Sequence, residues 1–305
     1  MSKIIIIGNS VAGFSCLEAL IKGSSGNEIT VITKSKYPAY NKSLLCDYFS
    51  GAVKEKDLFI CAPDYYAKNN AVFMPEAEVV RVDFKRKRVA LKSGEKLQFD
   101  YLVIASGSSV ELPELPGKTK EGIFRLNGLD EAKSIKQRAA LTNTVCLIGE
   151  SRACDILAKI FLVKDKEIRI ISPLKPEGFV SQDKCEWIDD FQAVEFIGEG
   201  SELKAVKLNN GKVLAAALIV LAGNALPVCD FLRDSAINIQ DGYIVCDDAQ
   251  QTNLENIFAC GSVARHPGAG SREKSREQAA GEGVIVAMNI IALCERGKKL
   301  CQQTS

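Results

Sequence analysis

The chain has 305 residues, which is long enough for two domains of ordinary size and a large buried core. Its 39 basic and 38 acidic residues give a formal net charge of +1, which excludes a strong electrostatic attraction to nucleic acid or to an anionic membrane. Hydrophobic residues make up 47% of the chain, but no apolar run approaches the ~20 residues that a membrane span requires. We therefore expect a globular protein with neither a nucleic-acid nor a membrane partner.

Eleven cysteines and a single histidine restrict the chemistry further. No two cysteines form a C-x-x-C motif, and most lie in apolar stretches, as Cys16, Cys146 and Cys260 do. We expect reduced, buried thiols in a cytoplasmic protein, and no metal site. His266 stands in a loop-like stretch, so chemistry that needs several histidines is excluded.

The first 33 residues predict a βαβ unit. Residues 3–7 are typical of a strand that is buried on both faces of a parallel sheet, and a helix from Ala12 to about residue 21 follows. After a turn at 23–27, residues 28–33 predict the second strand. Between the first strand and the helix lies "GNSVAG", residues 8–13, which nearly matches the dinucleotide fingerprint G-x-G-x-x-G.

The rest of the chain repeats this plan. The further predicted segments are an irregular stretch at 34–53, short strands at 78–84 and 88–94, a buried strand at 101–105, a proline-rich linker at 110–119, a helix at 129–140, a second strand–turn–helix–strand unit at 143–172, a buried strand at 217–223, a strand-rich segment at 242–265 and a final helix at about 272–294. Because the second unit resembles the opening of the chain, we expect two copies of one nucleotide-binding architecture.

Several motifs follow one another in a fixed order: "GNSVAG", "YPAYNKSLL", "AEVVRVDFKRKRVALKSGEKLQFDYLVIASGS", "GESRAC", "VLAGNALPVCDFL" and "TNLENIFACGSVA". This order resembles the FAD-dependent pyridine nucleotide–disulfide oxidoreductase superfamily. Within it, the chain is similar to the branch of rubredoxin reductase, ferredoxin reductases and the flavoprotein part of assimilatory nitrite reductase. The resemblance covers nearly the whole chain and is strongest over 97–109 and 252–264.

The resemblance implies an α/β fold with two Rossmann-like nucleotide-binding domains of the three-layer ββα type. The FAD-binding domain is expected to combine residues 1–112 with 228–305, and the NAD(P)H-binding-like domain to span 113–227. The C-terminal interface domain that many relatives use for dimerisation and acceptor docking is expected to be absent.

The same resemblance assigns residues to the FAD site. Gly8 permits the tight turn, position 10 lets the backbone approach the pyrophosphate, and Gly13 allows the helix to pack on the strand, so that the helix N-terminus stabilises the phosphates. Three positions depart from the family pattern: Ser10 replaces the middle glycine, Thr33-Lys34 replaces the ribose-binding acid, and Gly261-Ser262 replaces Gly-Asp. The other FAD residues that the resemblance implies are Ala12, Lys42, Val79, Ala105, Ser106, Gly107 and Gln278.

The second glycine turn departs further. It keeps Gly149, and Ser151 is the other candidate contact for NAD(P)H. Glu150 would repel a bound pyrophosphate, and Ile156 stands where the family has a glutamate. The alternatives are an NAD(P)H site and a Rossmann-like domain retained for packing or for a partner.

Cys46 is the one candidate for a catalytic residue, because its segment approaches the flavin in the family. No redox cysteine pair accompanies it, and the position is usually a serine, so a packing thiol is the favoured interpretation.

The resemblance implies an FAD flavoprotein that passes electrons from NAD(P)H to a small redox carrier, such as a rubredoxin- or ferredoxin-like iron–sulfur protein. The first alternative is an FAD-containing electron-transfer subunit of a larger redox complex that has lost NAD(P)H binding. The second is a non-catalytic scaffold without flavin.

Overall fold

The computed structural model describes residues 1–23, 26–175, 179, 183–223, 225–267 and 274–303, with only the backbone described for 297–303. The chain divides into two compact units. Unit 1 comprises Met1–Asn41, Phe59–Ser108 and Pro227–Ser305, and unit 2 comprises Lys42–Leu58 and Ser109–Leu226.

The described residues form six α-helices and 21 strands. The helices are α1 (Val11–Gly23), α2 (Leu45–Ser50), α3 (Tyr65–Lys68), α4 (Leu129–Ala140), α5 (Ser151–Val163) and α6 (Arg276–Gln303). The strands are β1 (Lys3–Ile7), β2 (Glu28–Ile32), β3 (Ala71–Met74), β4 (Val79–Asp83), β5 (Arg88–Leu91), β6 (Lys96–Gln98), β7 (Tyr101–Ile104), β8 (Ser108–Ser109), β9 (Ile123–Arg125), β10 (Thr144–Gly149), β11 (Glu167–Ile171), β12 (Cys185–Ile188), β13 (Ala193–Glu199), β14 (Glu202–Leu208), β15 (Val213–Ala215), β16 (Leu218–Ala222), β17 (Leu226–Pro227), β18 (Ile239–Gln240), β19 (Tyr243–Val245), β20 (Ile257–Ala259) and β21 (Ala264–Arg265).

Unit 1 is built around a parallel sheet with the strand order β20-β7-β1-β2-β3. The isoleucines of β1 are buried on both faces because successive side chains point to opposite sides. Ile4 and Ile6 pack in one core cluster with residues of α1 and α6. Ile5 and Ile7 pack in a second cluster with β4 and β5, two strands of the antiparallel sheet β4-β5-β6. This arrangement is the predicted three-layer ββα architecture.

Unit 2 repeats the architecture with a parallel sheet of order β12-β11-β10-β16-β9. Val145 and Leu147 of β10 face a cluster that includes residues of α4 and α5. Cys146 faces the opposite cluster, which includes residues of the antiparallel sheet β13-β14-β15. The two predicted Rossmann-like folds are therefore confirmed, and the sheets correspond strand by strand around β1 and β10.

Three local expectations are wrong. The stretch 34–53 is not wholly irregular, because it contains α2. Phe49 of α2 packs against Phe161 of α5 at a centroid distance of 4.9 Å, so 42–58 lies in unit 2 and not with the rest of 1–112. The stretch 110–119 is not a free linker, because the Phe196 amide donates to the Pro116 carbonyl over 2.9 Å and Leu112 packs in the unit 2 core.

The last helix begins at Arg276 and runs further than expected. Residues 272 and 273 of the predicted helix lie outside the described residues, as do 24 and 25 of the predicted turn and Asn224 of the "VLAGNALPVCDFL" motif. By length and composition alone, Arg276–Arg296 could cross a membrane, the one such stretch in the described part of the chain. Its Val286, Ala287 and Ile290 are buried in the unit 1 core.

Candidate functional site

The turn between β1 and α1 lies at the carboxyl end of the unit 1 sheet. The chain leaves β1 for β2 on one side, and β7 lies on the other, so this is the point where the strand order reverses and where ligands bind in such sheets. Gly8 has φ +109°, and a Cβ there would lie 2.0 Å from the Ala105 carbonyl oxygen. Only glycine therefore fits this turn.

Gly13 brings α1 onto the same turn. A Cβ at Gly13 would lie 2.1 Å from the Gly8 carbonyl oxygen, so the first turn of α1 packs directly on the backbone. The first helical bond runs from the Phe14 amide to the Ser10 carbonyl over 2.9 Å. Within the described ranges, no side chain accepts from the amides of 11–13. Such free amides at a helix N-terminus are suited to an anion.

Two further glycines surround Ala12. A Cβ at Gly261 would lie 2.9 Å from the Ala12 Cβ, and a Cβ at Gly283 of α6 would lie 2.2 Å from the Ala12 carbonyl oxygen. The Gly261–Ser262 turn and α6 therefore pack closely on the start of α1. The predicted FAD residues that this packing brings together in unit 1 are Gly8, Ser10, Ala12, Gly13, Ala105, Gly261 and Ser262.

An ion pair that the sequence did not predict supports this turn. Glu282 accepts from the Gly261 amide over 2.8 Å and from Lys274 Nζ over 2.7 Å. Lys274 also donates to the Gly261 carbonyl over 3.1 Å. The side chains of Lys274 and Glu282 are only 18% and 13% exposed, so the pair is largely removed from water. The only pattern in the sequence that could have indicated it is the Gly-Glu-Gly step at 281–283 inside a helix.

Asn9 is a second residue of the site that no sequence pattern indicates. It is buried beside Gly8, and its Oδ1 accepts from the Tyr66 hydroxyl over 2.9 Å. The Tyr66 oxygen in turn accepts from the Ala39 amide over 3.0 Å. Burial raises the pKa of Tyr66, so the hydroxyl keeps its proton and remains a donor. Asn9 thus ties the glycine turn to α3.

The other predicted residues of unit 1 lie at the edges of this group. Ser106 Oγ donates to the Val228 carbonyl over 2.6 Å, and the Val228 amide donates to the Gly107 carbonyl over 2.9 Å, so the 105–107 element is tied to 228. Gln278 lies in the first turn of α6. Its side-chain Oε1 accepts from the Ser275 backbone amide over 2.8 Å, and the Gln278 backbone amide donates to Ser275 Oγ over 3.2 Å. This is a reciprocal N-terminal cap.

Lys34 is exposed and pairs with Glu78, at 2.8 Å from Oε1. Lys92 binds the other oxygen of Glu78 at 3.1 Å, and hydrogen bonds from Lys34 and Lys92 lower the pKa of that carboxyl. Val79, the next residue, is buried at the start of β4. The carboxyl end of β2 therefore has a carboxylate near it, although it comes from another segment.

Lys42 and Cys46 belong to unit 2. Lys42 is exposed, and Cys46 is partly buried against the core cluster that contains Phe49 and Phe161. Burial, together with Asp47, raises the pKa of the Cys46 thiol. A thiol in that environment is protonated and a poor nucleophile.

The second turn, between β10 and α5, has the same backbone plan. A Cβ at Gly149 would lie 1.9 Å from the Ala222 carbonyl oxygen, just as a Cβ at Gly8 would lie 2.0 Å from the Ala105 carbonyl oxygen. The contacts of the helix N-terminus differ, however. Glu150 Oε1 accepts from the Arg152 amide and Oε2 from the Ala153 amide, each over 2.9 Å. The helix amides that would face a phosphate are therefore already bound by a carboxylate of the chain.

Ser151 is also engaged internally. Its hydroxyl lies 3.1 Å from the Ser172 hydroxyl and donates to the Leu174 carbonyl, and both partners lie in the segment that follows β11. The sixth position of this turn is Cys154, which is fully buried in the unit 2 core where the first turn has Gly13.

Comparison with known proteins agrees with this architecture. The family model described as pyridine nucleotide-disulphide oxidoreductase matches residues 2–171 and 182–283. The chain belongs to this family. The predicted superfamily is thereby confirmed, and both glycine turns lie inside the matched ranges.

Individual proteins align over most of this chain. It is 24% identical to apoptosis-inducing factor 3 of Homo sapiens over 310 residues, which cover 95% of this chain and 51% of that protein. It is 27% identical to the NADH-rubredoxin oxidoreductase of Clostridium acetobutylicum over 274 residues, which cover 88% of this chain and 69% of that protein. The chain thus spans about half the length of the first of these relatives.

Solved structures share the fold. The covalent putidaredoxin reductase–putidaredoxin complex contains a chain that superposes with a TM-score of 0.85 at 19% identity, over 95% of this chain and 75% of that one. The ferredoxin reductase for the CYP199A2 system of Rhodopseudomonas palustris gives a TM-score of 0.84 at 20% identity, over 95% and 76%.

Proposed function

We propose that the protein is an FAD flavoprotein oxidoreductase that passes electrons from NAD(P)H to a small redox carrier protein, such as an iron–sulfur protein. The first turn of unit 1 carries this proposal. Its glycines leave space that a Cβ would fill, and no side chain of the described residues accepts from the amides of 11–13, which leaves them available to an anion. Both features fit the pyrophosphate of a dinucleotide.

The residues of unit 1 have separate roles in this proposal. The amides of 11–13 and the Ser10 hydroxyl would hold the phosphates, and the close contacts of Gly8 and Gly13 keep the backbone in position. The Gly261–Ser262 turn, fixed by Glu282, would hold the ribitol part, and Val79 would contact the adenine through its backbone. Bound FAD supplies the two-electron and one-electron chemistry, so no side-chain acid or base is required.

The relatives support the carrier as acceptor. One is an NADH-rubredoxin oxidoreductase, and the putidaredoxin reductase structure is a covalent complex with putidaredoxin. The proposal includes a cytoplasmic location, and the ten cysteines among the described residues, all free thiols, support a reducing compartment.

Anaerobic stopped-flow mixing of the flavin-loaded protein with NADH, and separately with NADPH, tests the proposal. We expect one of the two nucleotides to bleach the flavin absorbance, and an added oxidised rubredoxin or ferredoxin to restore it. A flavin absorbance that neither nucleotide changes would contradict the NAD(P)H step.

A second candidate is favoured by the Glu150 contacts. With the α5 amides bound by Glu150, the second turn does not fit a nucleotide phosphate, so the protein would be an FAD-containing electron-transfer subunit of a larger redox complex. One relative, from Bacillus subtilis, is an assimilatory nitrate reductase electron transfer subunit. Persistent flavin absorbance with both nucleotides, together with co-purification of an iron–sulfur protein, would distinguish this candidate from the first.

A further inference from the structure

The chain contains an internal comparison, because the first and second turns share one backbone plan. Gly8 lies against the Ala105 carbonyl, and Gly149 lies against the Ala222 carbonyl. A Cβ at either glycine would clash with the carbonyl oxygen beside it. The residue that follows the first glycine differs. In the first turn it is Asn9, a neutral amide, and in the second turn it is Glu150.

This difference changes what the two helix N-termini offer. Asn9 directs its Oδ1 to Tyr66, and among the described residues no side chain accepts from the amides of 11–13. Glu150 turns back and accepts from the amides of Arg152 and Ala153 with its two carboxylate oxygens. The first helical bond of α5 also ends on Glu150, from the Cys154 amide over 3.0 Å. The same residue therefore caps the helix with its backbone and its side chain.

The side chain of Glu150 is held in this position. A Cβ at Gly223 would lie 2.2 Å from the Glu150 Cβ, so the stem of the glutamate passes directly over the glycine that follows β16. The Glu150 amide donates to the Ala222 carbonyl over 2.9 Å. A phosphate at this helix would have to displace a carboxylate from two charge-assisted hydrogen bonds, or approach a negative charge at close range.

We propose that Glu150 acts as an internal substitute for a phosphate and is the residue that determines whether the second turn accepts a nicotinamide nucleotide. This inference rests on the proposed function only for the class of ligand, a nicotinamide nucleotide. The carboxylate occupies the amides in the folded protein, so nucleotide affinity is low because of one side chain and not because the Rossmann-like architecture of unit 2 is lost.

Calorimetric titration of the full chain with NADH, NADPH and inorganic pyrophosphate tests this inference. Serine is a strong N-terminal cap without charge, so Glu150→Ser keeps the helix start and removes the carboxylate. We expect it to bind at least one nucleotide roughly tenfold or more tightly than the native protein does, since a charge-assisted contact is released. Glu150→Asp, which retains a charged cap, should show no gain.

A matched control is Glu167→Ser, which removes the same charge from the start of β11, where the Glu167 amide donates to the Asn143 carbonyl. We expect its nucleotide affinity to equal that of the native protein. Equal affinities for all four proteins, or a gain in Glu150→Asp or Glu167→Ser as large as that in Glu150→Ser, would overturn the inference. Far-ultraviolet circular dichroism confirms folding, and Glu150→Gln replaces Glu150→Ser if that variant is unfolded.

These binding measurements need no electron transfer, so they separate this inference from the proposed function. A gain in affinity without flavin reduction would retain the role of Glu150 and reject the oxidoreductase step. Flavin reduction in the native protein, with no gain in nucleotide affinity in Glu150→Ser, would retain the oxidoreductase step and reject the role of Glu150.

Discussion

Three charged side chains meet at the carboxyl end of β2, and they predict a pH effect. Hydrogen bonds from Lys34 and Lys92 lower the pKa of Glu78 from its ordinary 4.5. Because the folded pKa is depressed, the pairing stabilises the protein above the ordinary value and is lost as the pH falls through the folded value. We expect Glu78→Gln to lower the free energy of unfolding at neutral pH by less than about 1 kcal/mol, as for other exposed pairs. As the pH falls from neutral to about 3, the difference should shrink, because Glu78 begins to bind a proton.

Urea unfolding at both pH values measures this effect. Glu95→Gln is the control, because Glu95 lies in the same region of the chain and forms no ion pair within the described residues. A loss in Glu78→Gln that is equal at the two pH values would contradict the electrostatic explanation.

Cys46 gives a second prediction at the scale of a residue. Its thiol has a raised pKa and packs near Phe49, so we expect Cys46→Ser to keep the flavin spectrum and the rate of flavin reduction. We also expect slow alkylation of Cys46 by iodoacetamide at neutral pH, since the thiolate is the reactive form. Loss of reduction in a Cys46→Ser protein with an unchanged flavin spectrum would instead show a redox role.

At the scale of single residues, the sequence predicts those whose role depends on the turn in which they lie. Gly8 and Gly13 were predictable because a tight turn and a close helix need residues without a Cβ at a fixed spacing. Glu282 and Glu78 were not, because each acts on a segment far away in the chain, Glu282 on Gly261 and Glu78 on Lys34. The absence of an acid after β2 therefore did not indicate the absence of a carboxylate there.

The packing of α6 on α1 provides a prediction at the scale of an element. Gly283 lies in the contact, where a Cβ would be 2.2 Å from the Ala12 carbonyl, whereas a Cβ at Gly281 would meet nothing within 4 Å. We expect Gly283→Ala to destabilise the protein by about 1–3 kcal/mol through overpacking. Gly281→Ala should stabilise it by roughly 0.5–1 kcal/mol, since alanine is the better helix former.

Chemical denaturation of the two variants measures both effects. The substituted positions lie within one turn of the same helix. The pair controls for helix propensity, which favours alanine at both positions. Stabilisation by both substitutions would show that α6 is free to move away from α1, contrary to the close contact.

Elements were predictable in proportion to their length and burial. The continuously apolar segments gave β1, β7, β10 and β16, because strands buried on both faces need apolar residues throughout. The edge strands β9 and β12 were missed, since each has at most four residues and weak periodicity. Helix α2 was missed because it has only six residues, and its position depends on the contact between Phe49 and Phe161.

At the scale of the whole molecule, one architecture occurs twice with different chemistry at its turns. In unit 1 the amides of 11–13, from which no described side chain accepts, are suited to a phosphate, and in unit 2 the amides of Arg152 and Ala153 are bound by Glu150. A ligand that binds only the folded state raises its stability according to its concentration and affinity. We therefore expect FAD to raise the thermal unfolding temperature of the native protein, and NADH to raise it less.

Differential scanning fluorimetry at matched ligand concentrations measures this order. Riboflavin is the control, because it lacks the pyrophosphate that the α1 amides would bind. An equal shift with riboflavin and FAD would contradict the phosphate site at the first turn.

We propose that the first turn of unit 1 binds FAD. The most direct test is a titration of the flavin-free protein with FAD, followed by equilibrium dialysis and an absorbance spectrum of the bound flavin, for the native chain and for Gly13→Ala. We expect saturable binding by the native chain and strongly reduced binding by a folded Gly13→Ala, because its Cβ would displace α1 from Gly8. A native chain that stays colourless after dialysis, although folded, would contradict it and leave a scaffold without flavin.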